Sequence, residues 1–460
     1  MHYNNWLVPS LFVWLACAGW AAAKDVEAAP DNVRQKVSGL QPGDTLVLAA
    51  GKYNGGITLK QLHGRADAPI TIRGMGAETV LLGVGGTNTV DILDCQYLVL
   101  RDLTFDGRGK EVDAIKAKYS KIVSHHVTIE NNTIINHGAN QQIVGISTKA
   151  PAADWTIRGN TVIGAGTGLY LGNSTGGEPF VRGIIEYNLV TDPVGYCMQI
   201  KKQNPRPAAP GLPAEPGTTI IRYNVFIKSD RPSPDGDRPN LLVGGYPDDG
   251  PGSRDRYQIY GNVLCHNPRE SLFQGTGRVS IHDNVFVDCP GTGVMLATHD
   301  HKPVKQALVY HNTFVDVGNA LSVSGNAVDG TVVAGNLSVA AKRPSQPWPE
   351  GNVALSAAQA ATALTAPAGR LGKLDVQPHK LIVSVVPAAA LDKLRLDADY
   401  NLDFWGGKRT TFEQAGACQP SSQPRPITAR RISSRAPHTR PPASLGKPTA
   451  AAVTADPPMN

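Results

Sequence analysis

Cysteine is scarce in this chain, with six among 460 residues. One of them, Cys17, sits in an N-terminal apolar run. The other five, Cys95, Cys197, Cys265, Cys289 and Cys418, are odd in number and lack metal-ligand spacing. That excludes a disulfide framework and a cysteine zinc site. Aromatic residues are few (6%) and charge is thin (18%). Surplus charge is nearly missing outside the last 42 residues. Of the net +6, residues 419–460 carry +5: Arg425, Arg430, Arg431, Arg435, Arg440 and Lys447 against Asp456. The remainder is close to neutral, which excludes a basic nucleic-acid-binding domain. The apolar run, Leu7 to Trp20, is short and contains Pro9; it precedes Ala21-Ala22-Ala23. This reads as a secretory signal over residues 1–23, leaving no membrane anchor after cleavage.

What is present is a repeat. Eight times an apolar residue is followed, three positions on, by Asn and then by another short β-favouring run. The asparagines are Asn132, Asn160, Asn188, Asn224, Asn262, Asn284, Asn312 and Asn336, spaced 28, 28, 36, 38, 22, 28 and 24 residues apart. A second short strand follows in several copies, as in Gly168-Leu169-Tyr170-Leu171-Gly172 and Gly293 to Ala297. No helical pattern separates the strands. A unit of this length made only of strands and turns is one coil of a solenoid. The fold expected is all-β: a right-handed parallel β-helix of roughly ten coils, with an N-terminal cap. Stacked coils place each Asn above the last, where its amide can bond the neighbouring backbone and the next Asn. Asn is also simply a good turn residue, but eight copies in one register favour a ladder. Cys265 and Cys289 follow consecutive asparagines and either meet between coils or stack as small apolar residues.

Along the chain, residues 25–40 read as a short capping helix with Val33, Val37 and Leu40 on one face. Leu355 to Leu364 is Ala-rich and reads as helical. From Gln419 onward Pro, Ser, Thr, Ala and Arg dominate, which reads as a disordered tail. The folded domain is expected over residues 24–418.

The run Gln41-Pro42-Gly43-Asp44-Thr45, then Gly51-Lys52-Tyr53, Ile57-Thr58-Leu59 and Ala68-Pro69-Ile70-Thr71-Ile72-Arg73-Gly74 resembles the opening of polysaccharide lyase β-helices, especially the chondroitinase B and alginate lyase group. Asp399-Tyr400-Asn401 to Arg409 resembles the closing segment of secreted β-helix proteins. The resemblance implies a secreted or periplasmic monomer that takes an acidic polysaccharide and cleaves it by β-elimination. It also implies calcium held by acids on the strand that carries a catalytic lysine, and an arginine from the following coil. Here Met198 and Gln199 stand where the acids belong, and Asn240 to Gly245 lacks the arginine. The cofactor therefore stays unassigned. The ordered acid sets of polygalacturonases and the Asp-Pro-His-Asp of alginate epimerases are missing.

Two insertions, Gln203 to Thr218 and Lys228 to Tyr257, flank the strand Tyr196 to Lys202. Alternation turns Met198 and Ile200 inward, and Gln199 and Lys201 outward. The candidate catalytic residues are Lys201, Lys202, Arg231, Arg238 and His299. Candidates for sugar contact are Gln199, Tyr246, Arg254, Arg256 and His301. A neutral lysine serves as base, and cations offset the uronate carboxylate. The competing expectation is a non-catalytic β-helix that binds glycan or acts as a surface scaffold.

Overall fold

The computed structural model describes residues 23–325, 327, 330–340 and 350–428. The expected signal segment and the tail beyond 428 lie outside them. Each repeat folds into three short strands. In one coil these are Ser124–Glu130, Thr133–Ile135 and Val144–Thr148, followed by Thr156–Arg158 in the next coil. Equivalent strands of successive coils pair in parallel, and three faces result. The first face is a 14-stranded sheet. The second and third merge into one 20-stranded sheet, because Val285–Leu296 and Thr313–Val323 run through the corner between them. The architecture is the expected right-handed parallel β-helix.

The repeat folds this way because its apolar residues fall in columns. Ile129, Ile157, Ile185, Ile221, Ile259 and Ile281 are successive partners on the first face and all are buried. Phe226, Leu264, Phe286 and Phe314 continue the column of the second face, with the last two rings stacked at 4.9 Å. Each such side chain contributes about 1.5–3 kcal/mol on burial, and the coils share one continuous core.

The asparagine ladder is present as expected. Asn224 Nδ2 and its backbone N–H both donate to Asn262 Oδ1, at 3.0 and 2.9 Å. The same Nδ2 donates to Ile185 O at 2.9 Å. Asn262 repeats the pattern on Asn284. A ninth rung, Asn352, receives the bonds of Asn336. The repeat pattern misses it because Pro349, not an aliphatic residue, precedes it by three.

The N-terminal end differs from the expected helix alone. A strand, Asp25–Ala28, first pairs with Thr45–Leu48, and the helix is only Val33–Val37, with both valines and Leu40 buried. The Ala-rich helix is Ala357–Ala363, started by a capping box of Ser356 and Gln359. Chain from about 388 onward then folds back along the first face. There Asp399 meets Arg222 and Tyr260, and Asp397 meets Arg256 and Tyr310. Packing continues past 418: Ile427 is buried, and its N–H donates to Leu374 O at 2.7 Å. All five described cysteines are buried and free, so Cys265 and Cys289 do not join.

The first face also carries a charge ladder. Arg101, Glu130, Arg158, Glu186 and Arg222 occupy one column, linked at 3.3, 3.2, 3.9 and 2.8 Å. The column continues as Tyr260, His282 and Tyr310, stacked at 4.8 and 4.6 Å.

Candidate functional site

The third face carries a column of lysines. One column there runs Asp91, Lys116, Ser147, Tyr170, Gln199, Leu242, Gln274. Two residues further along each strand lies another: Lys118, Lys149, Gly172, Lys201, Gly244. Its registry is fixed because Gly172 N–H donates to Thr148 Oγ1 at 3.0 Å and Lys201 N–H to Leu171 O at 2.9 Å. Lys149 and Lys201 therefore flank a glycine, two coils apart, about 10 Å at the spacing of paired strands. Gly172 has φ +78° and no side chain, so the column narrows to a slot there between the lysines, bordered by Glu178 O and Lys201 Cβ, which would lie 3.3 and 3.6 Å from a Cβ at Gly172. Tyr170 forms its floor. Lys149 Nζ stands 4.8 Å from the centroid of that ring and Lys201 Nζ 5.4 Å, both within range of a cation–π contact.

Burial sets the protonation of these groups. It lowers the Lys201 pKa, and the nearby charges of Arg238, Lys202 and Lys149 lower it further, while Asp300 opposes. Burial also lowers Lys149, with Lys116 adding and Asp113 opposing. It raises both Tyr170 and Tyr196, so their phenols stay protonated. Displaced pKa values of opposite kinds around one slot are a mark of acid–base sites. Among the described residues neither Lys149 nor Lys201 has a salt-bridge partner within 4.0 Å.

Loops wall the slot on two sides. The segment read as one insertion, Lys228 to Tyr257, is two loops separated by the strand Leu241–Val243. Residues 228–240 leave the corner between the second and third faces. They bring Arg238 to 5.8 Å from the Tyr196 ring centroid. This loop is tied down by Gln142 Nε2 to Asp235 Oδ2 (2.9 Å) and by Lys228 Nζ to Arg238 O (2.9 Å). Residues 244–255 leave the opposite corner, beside the tight turn of residues 299–302. That turn folds back toward the slot: Thr276 Oγ1 donates to Lys302 O at 2.7 Å, and the Asp300 charge reaches Lys201.

The structure thus joins Lys201, Lys202, Arg238 and the His299 turn, and separates other candidates from them. Tyr246 is buried against Tyr257 at 4.7 Å and offers no surface to a sugar. Arg256 begins a first-face strand and pairs with Asp397 there. Arg254 is exposed beside residues 250–253 and Pro216, in an open depression of about 390 Å³ away from the lysine column. Arg231 secures its own loop, donating to Asp192 O at 2.7 Å. His299 and His301 are exposed; only the turn's Asp300 is felt at Lys201. Gln199 shares the outward column but is 3% exposed, and its Oε1 has no partner. It is floor rather than contact surface. The residues missed were Lys149, Tyr170 and Tyr196. Counting from the ladder asparagines does not align them, since Lys149 follows Asn132 by 17 residues and Lys201 follows Asn188 by 13; only the strand pairing shows the shared column.

The resemblance implies calcium on this strand. Met198 points into the core, Gln199 is a neutral amide, and among the described residues no three His, Cys, Asp or Glu side chains are grouped for a metal. The residues present do not fit a calcium site there.

A family model described as Chondroitinase B matches residues 27–144. The chain is a parallel β-helix whose first coils are similar to that family. The match covers the first coils and ends before Lys149, so none of the slot residues falls inside it. No curated protein matches the chain. Among solved structures, an alginate lyase from Paenibacillus sp. str. FPU-7 is 20% identical, over 68% of this chain and 97% of that one, with a TM-score of 0.44. A PL6 family alginate lyase is 14% identical, over 85% of this chain and 57% of that one, with a TM-score of 0.49. A PL6 family polysaccharide lyase from Pseudopedobacter saltans is 14% identical, over 69% and 85%, with a TM-score of 0.43.

Proposed function

We propose that this is a secreted polysaccharide lyase that cleaves a uronate-containing polysaccharide by β-elimination in the slot over Gly172. The observation that carries the reading is the convergence of Lys149 and Lys201 on Tyr170, with burial lowering both lysines and raising the phenol. Neutral Lys201 takes the proton from the carbon α to the carboxylate. The electron pair enters a new C=C bond as the C–O bond at the β-carbon breaks. Tyr170 gives its proton to the departing oxygen; Lys201 then releases the proton it took and Tyr170 takes one up through solvent, which restores both groups. The cations around the slot hold the acidic chain in place.

The experiment is a screen of alginate, pectate, chondroitin and heparin-type substrates for the ultraviolet absorbance of the unsaturated product. Wild-type protein is expected to act on at least one. Lys201→Ala is expected to lose turnover while keeping most oligosaccharide affinity, since the loss falls on the transition state. A protein that binds these polymers without forming product is instead a glycan-binding scaffold, and β-elimination is then wrong.

A further inference from the structure

The poor fit to calcium has a positive counterpart in the same slot. β-Elimination next to a carboxylate needs that carboxylate's charge offset, since abstraction puts a second negative charge beside it. The group placed to do so must reach the slot, keep its charge and be free of an internal partner. Asp113 is the nearest acid acting on Lys149, but it is already engaged. Its Oδ1 accepts from Val144 N–H at 2.8 Å, and Lys116 Nζ stands 3.3 Å from its Oδ2. Lys149 is thus left with the Tyr170 ring face at 4.8 Å, across Gly172 from Lys201. The polar atoms beneath are neutral: Ser147 Oγ and Gln199 Oε1 are buried without partners. A divalent cation entering here would meet two ammonium groups, and the one carboxylate whose charge reaches Lys201 is Asp300 on the turn of residues 299–302, too few oxygen ligands for a calcium site.

Resting on the reading above, we infer that the Lys149 ammonium is the charge that neutralises the substrate carboxylate, in place of a divalent cation. Lys149 and Lys201 then divide the work across the glycine gap. Lys149, which feels one neighbouring cation, holds the carboxylate as an ammonium, and Lys201, which feels three, abstracts the proton. One lysine carries a single charge with three donors, matched to one carboxylate, whereas a metal would demand several oxygen ligands that this column does not offer.

The test uses the folded chain with alginate and pectate oligomers as probes. Calcium titrated into wild-type protein is expected to give neither binding heat nor a shift in Tm. EDTA is expected to leave oligomer affinity and any turnover unchanged. Lys149→Met, which keeps the packed stem over Tyr170, is expected to weaken oligomer binding at least tenfold. Added calcium is not expected to restore it, and Lys149→Arg is expected to retain most of it. Tight calcium binding, loss of affinity in EDTA, or a Lys149→Met variant that binds like wild type each overturns the inference. Binding that follows these expectations without any product overturns β-elimination and leaves the Lys149–carboxylate contact standing. Failure of wild type to bind these or the chondroitin and heparin-type oligomers overturns both.

Discussion

Lys149 and Lys201 reach the ring of Tyr170 from the coil before it and the coil after it, with only Gly172 between their stems. Two partly buried lysines facing one aromatic ring without a carboxylate partner cost stability. A solenoid tolerates that at one point because each coil is held by its neighbours on three faces.

The first prediction concerns that cost. Burial lowers the Lys201 pKa in the folded state below its unfolded value. Between the two values the unfolded chain binds more protons, so this group's contribution makes stability rise with pH across that window. Below the folded value the full cost remains. Lys201→Met is therefore expected to raise Tm by about 1–4 °C at neutral pH. The gain should shrink as pH approaches the ordinary lysine value. A calorimetric Tm series against pH checks it.

The slot itself can be filled. Gly172 sits at φ +78°, where an added Cβ would lie 3.3 Å from Glu178 O, a tight contact, and 3.6 Å from Lys201 Cβ. Gly172→Val is expected to lower oligosaccharide affinity by about tenfold or more, as one blocked contact of about 1.4 kcal/mol implies. It should cost some stability through the left-handed backbone. Calorimetric titration alongside a melting curve separates the two effects.

The ladder has its own expectation. Asn262→Leu strands donors and acceptors at the turns above and below, because Asn262 both accepts from Asn224 and donates to Asn284 and Ile221 O. The loss is expected to be on the order of 1–3 kcal/mol by denaturant unfolding. An unchanged midpoint would remove the ladder from the account of stability.

His266 pins the wall loop. Its Nδ1 is 2.8 Å from Asp288 and its Nε2 is 3.1 Å from Asp230. Burial works against its charge, but the two aspartates outweigh it and raise the pKa. The stabilisation is therefore fully present below the unfolded value and is lost as pH rises through the raised folded one. Hydrogen exchange in residues 228–240 is expected to quicken over that rise, and His266→Gln should remove the pH dependence.

Truncation distinguishes packed chain from tail. Ile427 is buried against the 374 region, and Arg425 N–H bonds to Asp375 Oδ2. Ending the chain after 428 is expected to leave Tm unchanged, and ending it after 418 to lower it. Equal melting of the two truncated chains would show that residues 419–428 contribute nothing.

The rod was legible because Asn and Ile recur in columns that any register of the repeat aligns. Asn352 escaped because Pro349 breaks the pattern that finds the other rungs. At the site, Lys201 and Arg238 were visible as outward and loop cations. Tyr246 and Arg256 were misread because adjacency in sequence to a charged loop does not say which corner of the coil that loop leaves. Leu241–Val243 splits the insertion and sends its two halves to opposite walls. Lys149 was overlooked because its proximity to Lys201 exists only across two coils.

The charge column on the first face has a consequence for how this rod can change length. Arg101, Glu130, Arg158, Glu186 and Arg222 alternate in sign, one per coil. Remove the coil of Arg158 and Glu130 lands on Glu186; remove that of Glu130 and Arg101 lands on Arg158. Like charges directly opposite destabilise a pair of strands. Remove both coils and Arg101 meets Glu186, which is an allowed neighbour. The middle of the molecule therefore counts in twos. The alternation is confined to this stretch, since Arg73 stands opposite Arg101 one coil earlier and turns to Asp25 instead; from Arg101 to Arg222, loss of a pair of coils keeps every neighbour opposite in sign and loss of one does not.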